Sequence, residues 1–269
     1  MENVMHGGTH DAHHQHEVEL SAMPLIAAVG SFLLPMAFMA TFSWGLPSVV
    51  GLVLAGVAVV ILMVGLFGWL NEVHAKKEEA GLSSMAIIVF IISEVALFGG
   101  LFGGYLYAML FTEQWPPAST PEGVPPLGLA VIMTVFLLSS SATIHNAEDK
   151  LHHGDMGGFK GWIVFTMILG GLFMAFMAYE WHELMGEGFT IGLNEYGTFF
   201  YTITGFHGSH VLVGLTMQLF CLILAAGGKI GKHKQTLAKV TSLYWHFVDI
   251  VWLLVVSLIY VVPFLKAGQ

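Results

Sequence analysis

Long stretches of this chain carry almost no charge, and that restricts its fold more than any other property. Seven of them, about 25–42, 51–70, 84–111, 127–145, 161–179, 196–226 and 243–264, come close to or exceed the roughly 20 residues a helix needs to cross a bilayer. In lipid every backbone amide must be satisfied within its own segment, so such runs are helices. The expected fold is an all-α membrane protein with seven transmembrane helices. Composition agrees: 56% of residues are hydrophobic and 10% are charged, against about 25% charged in soluble domains.

The charges that remain orient the chain. Lys76 and Lys77 follow the second run, Lys150 and Lys160 the fourth, and Lys229, Lys232, Lys234 and Lys239 the sixth. With seven spans these lysines share one side and only Lys266 lies on the other. The positive-inside rule then puts the N-terminus in the cytoplasm and the C-terminus outside. The opposite loops carry Glu113, Glu122, Glu180, Glu183, Glu187 and Glu195 and no lysine. The first 24 residues lack the basic and apolar regions of a signal peptide and read as an acidic, His-rich cytoplasmic tail. Its His6, His10, His13, His14 and His16 lack regular ligand spacing, which leaves loose metal binding or a solvated tail. All nine basic residues are lysines and the net charge is -9, a balance that argues against nucleic acid. Cys221 is the single cysteine, which excludes an internal disulfide.

The charges inside the runs are the candidates for function. Glu94 is the only charge between Met85 and Phe111, and a carboxyl at that depth marks either an assembly contact or proton chemistry. On the same run, Gly99/Gly103 and Gly100/Gly104 are spaced four apart, a smooth face for a second helix or a lipid chain. His207 and His210 project from one side of the sixth run. Packing, pairing with a carboxylate such as Glu94, and metal ligation all fit them. In the seventh run Asp249 calls for a partner such as His246, and Tyr244 and Trp245 suit an interfacial aromatic belt. Neither a phosphate-binding loop nor a nucleophile elbow is present. The loop WPPASTPEGVPP is restricted by its prolines to extended and turn conformations. The charged stretch 71–82 sets off a two-helix hairpin, 25–70, from a five-helix bundle, 84–264.

These residues carry a resemblance. Ser93-Glu94-Val95, Trp115-Pro116-Pro117, Tyr196-Gly197-Thr198-Phe199-Phe200, the segment from Thr204 to Val211 and Tyr244-Trp245-His246-Phe247-Val248-Asp249, with Trp252 and Tyr260, resemble subunit III of haem–copper oxidases, most closely that of cytochrome c oxidases. The resemblance implies an accessory subunit without cofactors of its own, with haems and copper in its partners. It implies direct contact with subunit I, with subunit II and small subunits in the same complex, and bound phospholipid. It further implies a division of two helices and five around a lipid-filled cleft, in a prokaryotic inner membrane. Glu94 falls on the family's carbodiimide-reactive carboxylate, with His207 and His210 as its motif histidines, and the subunit's task becomes to stabilise subunit I and support proton uptake. After the second run the family's arginines are absent: the chain reads Trp69-Leu70-Asn71-Glu72-Val73-His74-Ala75-Lys76-Lys77-Glu78, where Trp69 and Lys76 are left to contact lipid headgroups. Rival readings are subunit III of a quinol oxidase, the accessory subunit of a nitric oxide reductase, and a free-standing proton-coupled transporter.

Overall fold

The computed structural model describes residues 22–42, 47–75, 80–231 and 235–267. Among them the chain is helical: α1 (Met23–Phe42), α2 (Ser48–Ala75), α3 (Ala80–Phe111), α4 (Leu127–His153), α5 (Met156–Gly186), α6 (Glu195–Ala226) and α7 (Thr236–Val255), then a π-helical turn, Val256–Val261, and a last short α8 (Val262–Ala267). Six rods are long and apolar enough to cross a membrane: α2 to α6, and α7 with its continuation to Lys266. The apolar stretch of α1 spans Met23–Leu34. The His-rich residues 1–21, Lys76, Lys77, Lys232 and Lys234 lie outside the described residues.

Two compact units divide the chain, Met1–Lys77 and Glu78–Gln269. In the first, α1 and α2 form an intimate pair. A methyl group on Gly30 would collide with the Leu62 backbone, and one on Gly65 with that of Ala27, so glycine is what lets the two backbones touch. In the second unit α7 is the hub, packing on α3, α4 and α6, while α5 closes against α4 and α6.

Several helices run past their apolar stretches. α4 continues through Lys150 to His153 and α5 begins at Met156, so these polar residues extend the helices instead of forming a loop. A two-residue turn joins them: Gly154 takes a left-handed φ of 80°, and the Asp155 carboxylate caps α5 by accepting from Gly158 N at 2.8 Å. This is the ordinary glycine stop followed by an aspartate start. Asn194 caps α6 in the same way through Gly197 N.

The second unit buries polar groups within an aromatic and aliphatic core and exposes apolar side chains on its outside. Val135, Ile168, Leu212 and Ile250 are more than half exposed, whereas Ser140, Thr166, Glu180, Thr204, His207 and Gln218 are wholly buried. That distribution suits a lipid solvent, where apolar side chains gain nothing by hiding and polar ones must find each other. It also corrects the interfacial-belt expectation: Tyr244 and Trp245 point into the bundle, 2% and 0% exposed. Trp245 Nε1 donates to Ser140 Oγ at 2.8 Å.

Candidate functional site: the buried polar groups of the helical bundle

Glu94 and His210 meet. The carboxylate Oε2 on α3 lies 3.0 Å from His210 Nε2 on α6, and both side chains are only about a tenth exposed. Phe98 and Phe206 pack on the imidazole, at centroid distances of 5.1 and 4.8 Å. The other ring nitrogen, Nδ1, is 2.8 Å from the Phe206 carbonyl one turn earlier. A carbonyl only accepts, so Nδ1 carries a hydrogen. The Glu94–His210 contact therefore holds one further proton, on oxygen with a neutral ring or on nitrogen with a carboxylate. The pair is neutral as a whole in either form, which is how a carboxyl can sit at this depth.

His207 does not join them. Its ring is wedged between Phe173 on α5 and Trp252 on α7, with centroids at 5.6 and 5.1 Å. It is fully buried and neither nitrogen has a hydrogen-bond partner. Three residues correspond to about 300° of helix rotation, so the two histidines diverge by some 60°, enough to send them to different neighbours.

The other expected residues are placed as follows. Asp249 is 4% exposed, with His246 Nδ1 3.9 Å from Oδ2 and no hydrogen bond to either oxygen. His246 Nδ1 lies 2.8 Å from Ser141 Oγ on α4. Asp249 and Ser141 thus approach the same nitrogen, while Ser242 Oγ lies 3.5 Å from the other, Nε2. Gly99, Gly100 and Gly103 form an uncovered face within the unit; only Gly104 is approached, at 3.3 Å from where its Cβ would stand, by Phe199 of α6. Trp69 is part-exposed on α2.

Glu180 escaped the sequence reading, which placed it in an acidic loop. It lies inside α5, entirely buried, and accepts from Tyr260 OH at 2.7 Å. The missed signal was register: Phe173, Met177, Glu180 and Leu184 are all buried at steps of three and four, the stripe of an inward face continuing past the last apolar residue.

Tyr260 reaches Glu180 from the π-helical turn, and Pro263 explains why that turn exists. Proline has no N–H, so Ile259 O loses the donor an α-helix would supply and Leu258 O the one a π-helix would supply. Val262 N bonds instead to Ser257 O, five residues back. Two tyrosines fill the gap: Tyr105 OH on α3 donates to Leu258 O and Tyr196 OH on α6 to Ile259 O, each at 2.7 Å. Trp115 Nε1, from the Pro-rich loop, donates to Tyr105 OH at 3.1 Å. Side chains of neighbouring helices thus re-satisfy what proline frees, the usual condition for proline within a span.

Fold and buried sites together define a multi-pass helical membrane protein with paired polar groups in its interior. Among the described residues no group of three or more His, Cys, Asp or Glu side chains is placed to hold a metal. The chain belongs to the cytochrome c oxidase subunit III family, whose model matches residues 13–263. It is 39% identical over 193 residues to the probable cytochrome c oxidase subunit 3 of Nocardia farcinica, an alignment covering 71% of this chain and 93% of the relative. It is 38% identical over 191 residues to that of Mycobacterium tuberculosis (71% and 92%). With the cytochrome c oxidase subunit 3 of Drosophila yakuba it shares 31% over 265 residues (94% and 98%). Membership makes it an accessory subunit of a cytochrome c oxidase and not, alone, its catalyst.

Proposed function

We propose that this subunit stabilises the catalytic subunit I of a haem–copper oxygen reductase, organises lipid beside it and supports its proton uptake, with Glu94 and His210 as the proton-holding pair. The supporting observation is the 3.0 Å contact between Glu94 and an imidazole whose other nitrogen is tied to the Phe206 carbonyl. A contact that holds one proton stays neutral wherever that proton sits between the two groups, and passing it on keeps the pair neutral only if a second proton arrives to replace it. In this reading the chain crosses a prokaryotic inner membrane seven times, with the N-terminus cytoplasmic. The division of two helices and five around a lipid-filled cleft, implied by the family resemblance, is part of this reading, and the open face of Gly99, Gly100 and Gly103 is left to a lipid chain or a helix. Subunit I is the direct partner, and subunit II and small subunits share the complex.

Glu94→Gln separates proton handling from packing. The amide N–H of glutamine can donate to His210 Nε2 in place of the shared proton, so the helix contact persists while the exchangeable proton is lost. In the purified oxidase the variant is expected to keep its full complement of subunits and to slow oxygen reduction or proton uptake several-fold. Wild-type turnover and pumping would leave the pair a packing contact only.

A further inference from the structure

Glu180 lacks the company that an ionised carboxylate needs. Its side chain is wholly buried on α5. It receives one hydrogen bond, from Tyr260 OH to Oε2 at 2.7 Å, while Oε1 has no partner. Among the described residues no lysine or histidine forms an ion pair with it. The titratable groups that face it are tyrosines: Tyr260 from the π-helical turn, and Tyr196 and Tyr201 from α6. Two of these hydroxyls are committed elsewhere, Tyr196 to Ile259 O and Tyr201 to Phe189 O. His207, also on α6, packs on Phe173, about two turns of α5 away. The part of α4 from Leu127 to Ile144 carries no titratable side chain. On α5 itself Tyr179, His182 and Glu183 are exposed. A carboxylate here would keep most of its charge unbalanced, and buried charges persist only when paired and fully hydrogen-bonded. The acid form leaves one neutral O–H without an acceptor, which is the smaller loss.

We propose that Glu180 is a second proton-binding site of the bundle, a carboxylic acid that keeps its proton at neutral pH and, as a neutral pair with Tyr260, pins the end of α7 to α5. It differs from the Glu94–His210 contact in what the proton can do. An imidazole nitrogen can take up a proton, so that contact has two places for it. The Tyr260 phenol already carries its own hydrogen and offers no second basic site of that kind. The Glu180 proton is therefore held in place and not relayed. Nothing outside the bundle takes part, so the site stands independently of the proton-uptake role given to Glu94.

Infrared spectroscopy of the purified oxidase at neutral pH tests the site, with wild type set against Glu180→Gln. Surface carboxyls titrate at about pH 4 and are ionised there, so the C=O stretch of protonated acids comes from buried groups. Glutamine is neutral like the acid, and the variant is expected to keep its subunits and to lose one such C=O band. Loss of carboxylate absorption in place of an acid band would overturn the proposal. Tyr260→Phe keeps Glu180 and removes its one donor, so the same band is expected to move to higher frequency with undiminished area. A band that does not move would show that its owner is not bonded to Tyr260 and would also overturn the site. This second variant decides alone if the first does not assemble. Glu94→Gln is expected to leave the band unchanged, and loss of the same band there would assign the acid to the other pair and sink this one.

Discussion

The two motif histidines look equivalent in sequence and are opposites in chemistry. His210 makes two directed contacts, to Phe206 O and to Glu94. His207 makes none and serves as a flat ring between Phe173 and Trp252. Replacing a buried polar group that has no partner by an apolar one of similar shape is nearly neutral or stabilising, whereas removing one member of a hydrogen-bonded pair strands the other. His207→Phe should therefore leave the thermal stability of the purified subunit within about 1 kcal/mol of wild type. His210→Phe should cost about 3–5 kcal/mol by stranding Glu94. Comparable losses for both variants, measured by thermal denaturation in one detergent, would contradict the division of roles. The sequence made Glu94 conspicuous because it stands alone among apolar residues. Which histidine it meets depends on the relative rotation of α3 and α6, which no spacing encodes.

Among the elements, the end of α7 is held from outside. Tyr196→Phe removes the donor to Ile259 O and should destabilise the bundle by about 1–3 kcal/mol. In a Pro263→Ala background, alanine supplies the missing N–H and the same tyrosine change should cost far less. A double-mutant cycle reads the difference directly, and additive costs would mean that proline is not what makes the hydroxyl necessary. Six of the seven expected spans are long and apolar enough to cross among the described residues, and the helical type of the elements was legible, since a lipid solvent admits few alternatives to apolar helices. Their ends were not. α4 and α5 outrun their hydrophobic stretches because water tolerates Lys150 and His153 in a helix once the chain leaves the lipid. Glu180 was lost with them: the apolar run stops at Tyr179, while the buried stripe continues to Leu184. The inward turn of Tyr244 and Trp245 was invisible for another reason, since Ser140 becomes a partner only when α4 packs on α7.

The whole molecule carries its sidedness in its charges. Lys150 and Lys160 flank the turn between α4 and α5, whereas Glu183, Glu187 and Glu195 flank the one between α5 and α6. The proposed orientation puts the first turn in the cytoplasm and the second outside. With Cys221 replaced by serine, a single cysteine at Asp155 should react with an impermeant maleimide only from the cytoplasmic face, and one at Gly192 only from the opposite face. Labelling of both from the same side would reject the orientation.

The tyrosine hydroxyls on Leu258 O and Ile259 O also bear on history. A chain that gained Pro263 before Tyr105 and Tyr196 would have stranded two carbonyls in its core at once. One that gained the tyrosines first could have placed each hydroxyl on the second lone pair of a carbonyl already paired in the helix, at little cost. Descent should therefore have been ordered, phenols before proline. Once the proline was in place, reversal of either tyrosine was closed off, although each had been optional when it arose.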